Sequence, residues 1–221
     1  MKKMLVIIVI LAMILVSMII YKNIAINKNK SVNVQEVEQI EEYISKIYMW
    51  KEITKEALPT FENINNANEL WVWEVIKKNL ETYETTYEEI QQKGKELFGE
   101  KFERQIPKEG NDSFYYYKES NKYLATEIVL DEEEDSFLLK DIEKEGEKYK
   151  VKIIEYIEDY SEENKVIIRN LKEEEIGRVS TTDSETKIKE IVKNNKERFS
   201  QKNIEIKKEK DNLVIEKVNK E

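Results

Sequence analysis

The side chains in this sequence able to do chemistry are mostly carboxylates: 46 Asp and Glu, with no His and no Cys among 221 residues. Without imidazole there is no Ser-His or Cys-His nucleophile system and no zinc site built on His. Without a thiol there is no cysteine chemistry. The five Gly form no GxxxxGK[ST], GxGxxG or GxSxG pattern, so phosphate-cradling loops and the nucleophile elbow are absent. What remains is carboxylate catalysis. A glycan hydrolase of that kind needs two acids facing a cleft, roughly 5 to 10 Å apart, with one pKa raised by burial. Nothing in the sequence selects two acids from 46, so no catalytic residue is assigned, and no cofactor is expected. The run Asp131-Glu132-Glu133-Glu134-Asp135 offers oxygen ligands of the type calcium takes, but it lacks the alternating spacing and central Gly of a calcium loop. It reads as a solvated connection between strands, and no metal ligand is assigned.

Binding chemistry is the other possibility, and here the aromatic residues stand out. Phe114-Tyr115-Tyr116-Tyr117 reads as a strand, which puts Tyr115 and Tyr117 on one face as a candidate partner-binding pair. Trp71 and Trp73 in LWVWEVIKK form a second candidate pair. On a strand their rings would share a face, whereas on a helix they point about 200° apart and cannot form one stacking plate. The spacing of Val72, Ile76, Leu80, Tyr83, Tyr87 and Ile90 favours a helix, with core packing the simpler role and partner recognition the sharper one.

The elements that must position these groups divide the chain in two. Val37, Ile40, Ile44, Ile47 and Tyr48 recur at helical spacing, predicting an amphipathic helix from Val34 to about Ala57, ended by Pro59. Asn66 and Glu69 have the shape of a capping box opening a second long helix. Gly94 interrupts the pattern, and a short further turn is expected around Leu97, Phe98 and Phe102. From Ser113 the period changes to two. Strands are predicted at 114–117, 123–130, where YLATEIVL also fits a helix, and at 137–142, 149–157 and 165–171, with Gly146 at a hairpin tip. In the 149–157 strand, Tyr149, Val151, Ile153 and Ile157 form a core face, while Lys150, Lys152 and Tyr156 form a wetted one. Thr182 to Glu185 resembles another capping box, opening a helix to Phe199. A closing hairpin pairs 204–208 with 213–218. The fold class is α+β: two long helices packed on one face of a curved antiparallel sheet, with a further helix before the C-terminal hairpin.

The segments DSFLLKDIEKEGEKYKVKIIEYIED, KVIIRNL and NIEIKKEKDNLVIEKV carry a resemblance to the small NTF2-like and cystatin-like α+β domains that Gram-positive bacteria tether outside the membrane. The resemblance implies a concave sheet face holding a pocket or a partner, and it carries over no catalytic residue. The helix between strands at 184–199 departs from the NTF2-like order, leaving a cystatin-like or distinct topology open.

Met4 to Tyr21 is an uncharged run of 18 residues between Lys2-Lys3 and Lys22, which as a helix spans about 27 Å. A hydrocarbon core is about 30 Å thick. A cleavable signal has a shorter apolar region and a small-x-small exit, but here the exit is Met18-Ile19-Ile20-Tyr21. The expectation is an uncleaved anchor in membrane lipid at 1–21, a polar stalk at 22–33 and one soluble domain at 34–221, helical to 105 and mainly strands from 113. Lysines flank both ends of the run, and the usual behaviour of a lone N-terminal span places the domain outside the cell membrane. The first 30 residues hold five Lys and no acid, so the remainder carries 32 basic against 46 acidic groups, a net charge of -14. Lys and Glu alternate along it with no basic stripe, which excludes nucleic acid as a partner. The function expected is that of a non-catalytic binding or scaffold domain meeting a protein partner at the cell envelope. The alternative is a carboxylate-dependent hydrolase of wall glycan.

Overall fold

The computed structural model describes residues 32–126, 133–183 and 185–221. Met4 to Tyr21 lies outside them, as does the C-terminal half of the strand expected at 123–130. Among the described residues no helix is long and apolar enough to cross a membrane. They form an α+β fold with antiparallel sheets.

Helix α1 (Val34–Ile47) opens with a full capping box. The Asn33 side chain accepts the Glu36 amide at 2.9 Å and the Glu36 carboxylate accepts the Asn33 amide at 3.0 Å. It ends ten residues before Ala57, because Tyr48 turns extended and the chain restarts as the one-turn helix α2 (Lys51–Thr54), with Lys55 left-handed at its end. Helix α3 (Glu69–Lys78) is capped by Asn68, whose side chain accepts the Trp71 amide at 3.0 Å, two residues later than the sequence suggests. The second long helix is in fact two. A two-residue strand, β1 (Glu84–Thr85), separates α3 from helix α4 (Tyr87–Phe98), which has its own capping box at Thr86 and Glu89.

Helix α4 runs straight through Gly94 rather than breaking there. A Cβ on Gly94 would stand 2.3 Å from the Phe102 ring, so glycine is required by packing and not by a turn.

The first sheet has three strands in the order β1, β3 (Lys122–Ala125), β2 (Phe114–Tyr117). The second has six and is built around β5 (Lys148–Asp159). Along one edge of β5 runs β4 (Glu133–Glu145), joined to it by a hairpin with Gly146 left-handed at the tip. On the other edge, residues 148–155 pair with β8 (Ser200–Glu209) and residues 157–159 pair with β6 (Lys165–Arg169). Strand β9 (Asn212–Lys220) completes one branch and β7 (Glu175–Ser180) the other, so the sheet forks along β5.

The fork explains a correction. The sequence pattern puts all helices on one face, but the two faces of β5 are each covered. Tyr149, Val151 and Ile153 join the main core beneath α1, α3 and α4. Ile154 and Tyr156 belong to a second cluster with Val166, Ile168 and Val179, which helix α5 (Glu185–Asn194) closes with Ile188 and Val192. Tyr156 is therefore buried rather than wetted. Strict alternation along β5 fails to announce this, because Lys150 and Lys152 lie on the uncovered half of the same face.

Candidate binding surfaces

Of the four aromatic residues singled out by sequence, two are interior. Trp71 is fully buried, its indole N–H donating to the Ala57 carbonyl at 3.1 Å between the rings of Phe61 and Phe98, each 5.7 Å away. Trp73 is buried edge-on to Phe102 at 6.2 Å, with its N–H donating to Glu69 at 3.3 Å. A helix places them on different sides of α3, and the packed surroundings occupy both. They hold α3 against α4 and the 57–61 segment and present no surface.

Tyr115 and Tyr117 are different. Tyr115 is 61% exposed and Tyr117 41%. They alternate along β2 with Phe114, fully buried, and Tyr116, whose ring packs 5.1 Å from buried Tyr123. Cross-strand register puts Tyr115 beside Leu124 and then Glu84, and Tyr117 beside Lys122, so these five side chains share the outer face of the small sheet. Lys122 and Glu84 pair there at 3.1 Å. The inner face is core.

The loop before β2 fixes its position. The Asn111 side chain accepts the amides of Ser113 and Phe114 at 3.0 and 2.9 Å. Gly110 bridges Tyr115 with φ of 86°, and a Cβ there would come within 2.3 Å of the Phe114 carbonyl and 2.9 Å of the Tyr116 amide. Only glycine satisfies both the backbone angle and the approach. The Tyr117 hydroxyl donates to Glu119 at 2.8 Å, a bond that raises its pKa.

A second feature, not anticipated from sequence, is a groove of about 450 Å³ between the end of α1, the start of α5 and the edge of β4. Tyr48, Trp50, Phe137 and Tyr156 supply its aromatic wall. Lys78 lies 5.1 Å over the Trp50 ring and donates to the carbonyls of Ser45 and Tyr48 at 3.0 and 2.8 Å, satisfying the end of α1. Asp135 reaches the groove from β4. One oxygen accepts the Lys51 amide at 2.6 Å, and the other is buried without a hydrogen bond among the described residues. Burial raises its pKa, an effect the Lys51 amide offsets only in part. The acid run is therefore not wholly a solvated connection: its last three residues begin β4, and Asp135 turns inward.

Behind Tyr48 lies a buried polar knot. Glu155 is fully buried on β5 and pairs with buried Lys202 of β8 at 3.1 Å. Its carboxylate also accepts from Ser200 at 3.0 Å and Tyr48 at 3.4 Å. Lys202 in turn donates to the Leu58 carbonyl. No described group of His, Cys, Asp and Glu is placed to hold a metal. Glu41, Glu134, Glu158 and Glu185 also line the groove, but Asp135 is the acid there with a buried oxygen lacking a hydrogen bond, while Glu155 sits sealed behind a tyrosine and paired with a lysine.

No family model, no curated protein and no solved structure matches this chain.

Proposed function

We propose that this chain is a membrane-tethered, non-catalytic binding or scaffold domain that presents Tyr115 and Tyr117 to a protein partner at the cell envelope. The observation that carries this reading is the pairing of two exposed tyrosines on the outer face of a strand whose inner face is fixed in the core. Tyrosine supplies large contact area at low conformational cost, and rigid backing means little further ordering is lost on docking.

The anchor in this proposal is Met4 to Tyr21, and the stalk is short. Val32 is already buried and Asn33 already caps α1. Ten residues from Lys22 to Ser31 reach at most about 35 Å when fully extended, which bounds how far the start of α1 stands from the bilayer. The hydrolase alternative is less well supported. It requires two acids facing across a cleft with one of them held neutral by burial; Glu41, Glu134, Asp135, Glu158 and Glu185 line the groove, but of these only Asp135 has a buried carboxylate oxygen without a hydrogen bond, and Glu155 does not line it.

The test is site-directed crosslinking in cells with a photoreactive side chain at position 115, alongside the double variant Tyr115→Ala/Tyr117→Ala. The reading expects a discrete crosslinked product at 115, and loss of partner capture in the double variant with an unchanged circular dichroism spectrum. Unchanged capture would remove this face as the interface.

A further inference from the structure

The β4–β5 ladder sets two acids against each other. Its register pairs Glu134 directly with Glu158, and residues so opposed carry their Cβ atoms about 4.5–5.5 Å apart, where like charges repel. Further along the same ladder acids face lysines instead: Asp141 lies opposite Lys152, Glu143 opposite Lys150 and Glu145 opposite Lys148. The adjoining acid pair, Glu133 and Asp159, is answered by Arg169, 2.8 Å from Asp159. Among the described residues neither Glu134 nor Glu158 forms a salt bridge. Glu158 accepts from the Tyr160 hydroxyl at 2.7 Å, a neutral donor that leaves the repulsion in place.

Both glutamates line the groove between α1, α5 and the edge of β4, and its two lysines are committed elsewhere. Lys189 pairs with Glu185 at 2.7 Å and Glu41 at 3.8 Å. Lys78 feels the charge of Glu134 through space but donates to the carbonyls of Ser45 and Tyr48. Asp135 adds a buried oxygen that accepts no hydrogen bond, so five acids stand against two lysines. The same groove exposes parts of Trp50 and Phe137, and the Phe137 ring lies 5.1 Å from that of Tyr48. Aromatic faces and unneutralised carboxylates attract one kind of ligand, a cation with an apolar body. A bare metal ion fits less well, because calcium takes six or more oxygens and no described group of three acids is placed to hold a metal.

We propose that the groove binds a small organic ammonium ion, its charge between the carboxylates of Glu134 and Glu158 and its apolar body against Phe137 and Trp50. The volume of about 450 Å³ is within the range of ligand pockets and leaves room for one ring and a short chain. The site is separate from the strand of Tyr115 and Tyr117, and neither reading rests on the other.

The test is calorimetric titration of the full-length protein with benzylammonium, which carries both the charge and the ring. One saturable site is expected, about tenfold tighter than for methylammonium or benzyl alcohol, and weakening as salt is added. Glu134→Gln/Glu158→Gln should lose about tenfold in affinity, Glu134→Asp/Glu158→Asp should retain most of it, and Glu145→Gln, outside the groove, should bind as the parent does. Absence of a saturable site would overturn the proposal. So would equal affinity for benzyl alcohol, an unchanged Glu134→Gln/Glu158→Gln variant, or tighter binding of calcium than of benzylammonium at the same site.

Discussion

Glu155 and Lys202 illustrate how a single buried residue can be decisive without being catalytic. Removing one partner of a buried pair leaves an uncompensated charge and costs about 3–5 kcal/mol, whereas replacing both with apolar groups of similar size is often neutral. Lys202→Met should therefore lower the urea midpoint strongly, and Glu155→Leu/Lys202→Met should recover much of the loss. Asp135 and Glu36 give opposite pH behaviour. Burial holds the Asp135 carboxyl above its usual 3.8, so its stabilising contribution is present at low pH and is lost as pH rises through that elevated value. Asp135→Asn, which can still accept the Lys51 amide, should gain stability over the parent toward neutral pH. For Glu36 burial favours the neutral form, but bonds from Lys144, the Asn33 amide and Tyr149 outweigh it and hold the carboxyl below 4.5. That contribution is present above 4.5 and disappears as pH falls through the depressed value. Glu36→Gln should flatten the acid limb of a stability-against-pH curve measured by urea unfolding, while Asp135→Asn should remove the loss of stability that accompanies the rise of pH through the elevated Asp135 value. These roles were not legible in the sequence, because one Glu among 46 acids looks like any other until its neighbours are known.

At the scale of elements, periodicity was a good guide to existence and a poor guide to extent. The hairpins at Gly146 and Lys210-Asp211 fall where the turn residues place them. Strand β7, with the mixed sequence EIGRVS, has no alternation to mark it and was found only as the partner of β6. The spacing overextends the second long helix because apolar residues at helical intervals continue through Tyr83 and Ile90, although the chain leaves the helix at Asn79 and re-enters it after Thr86. Gly94 misleads for a simpler reason: glycine in a helical pattern suggests a break, but here the ring of Phe102 occupies the space of a side chain. The consequence is a reversal of sign. Gly→Ala in an exposed helix interior gains about 0.5–1 kcal/mol, whereas Gly94→Ala should lower the melting temperature. Gly94→Ala/Phe102→Leu should lose less than the two single changes together, since one relieves the clash made by the other.

For the whole molecule, the sheet forking along β5 gives the chain two cores that share strands β4 and β5, and the tyrosine strand is rooted in the first of them. Tyr115 and Tyr117 were legible as a surface pair because strand alternation fixes their common face, while the indoles of α3 needed the surrounding rings to be assigned. Substitution at the two sites should therefore separate cleanly. Tyr115→Ala should change stability by no more than about 0.5 kcal/mol, and Trp71→Ala should cost about 3–5 kcal/mol through the cavity it leaves, both read from chemical denaturation. The account as a whole depends on the domain being leashed to the outer side of a bilayer by Met4 to Tyr21. The direct measurement is labelling of Asn219→Cys with a membrane-impermeant thiol reagent in intact cells, in a chain that has no other cysteine. Labelling before lysis, with the protein in the membrane fraction, is the predicted result. Protection until lysis, or a processed form beginning near residue 26 and free of membrane, would contradict it.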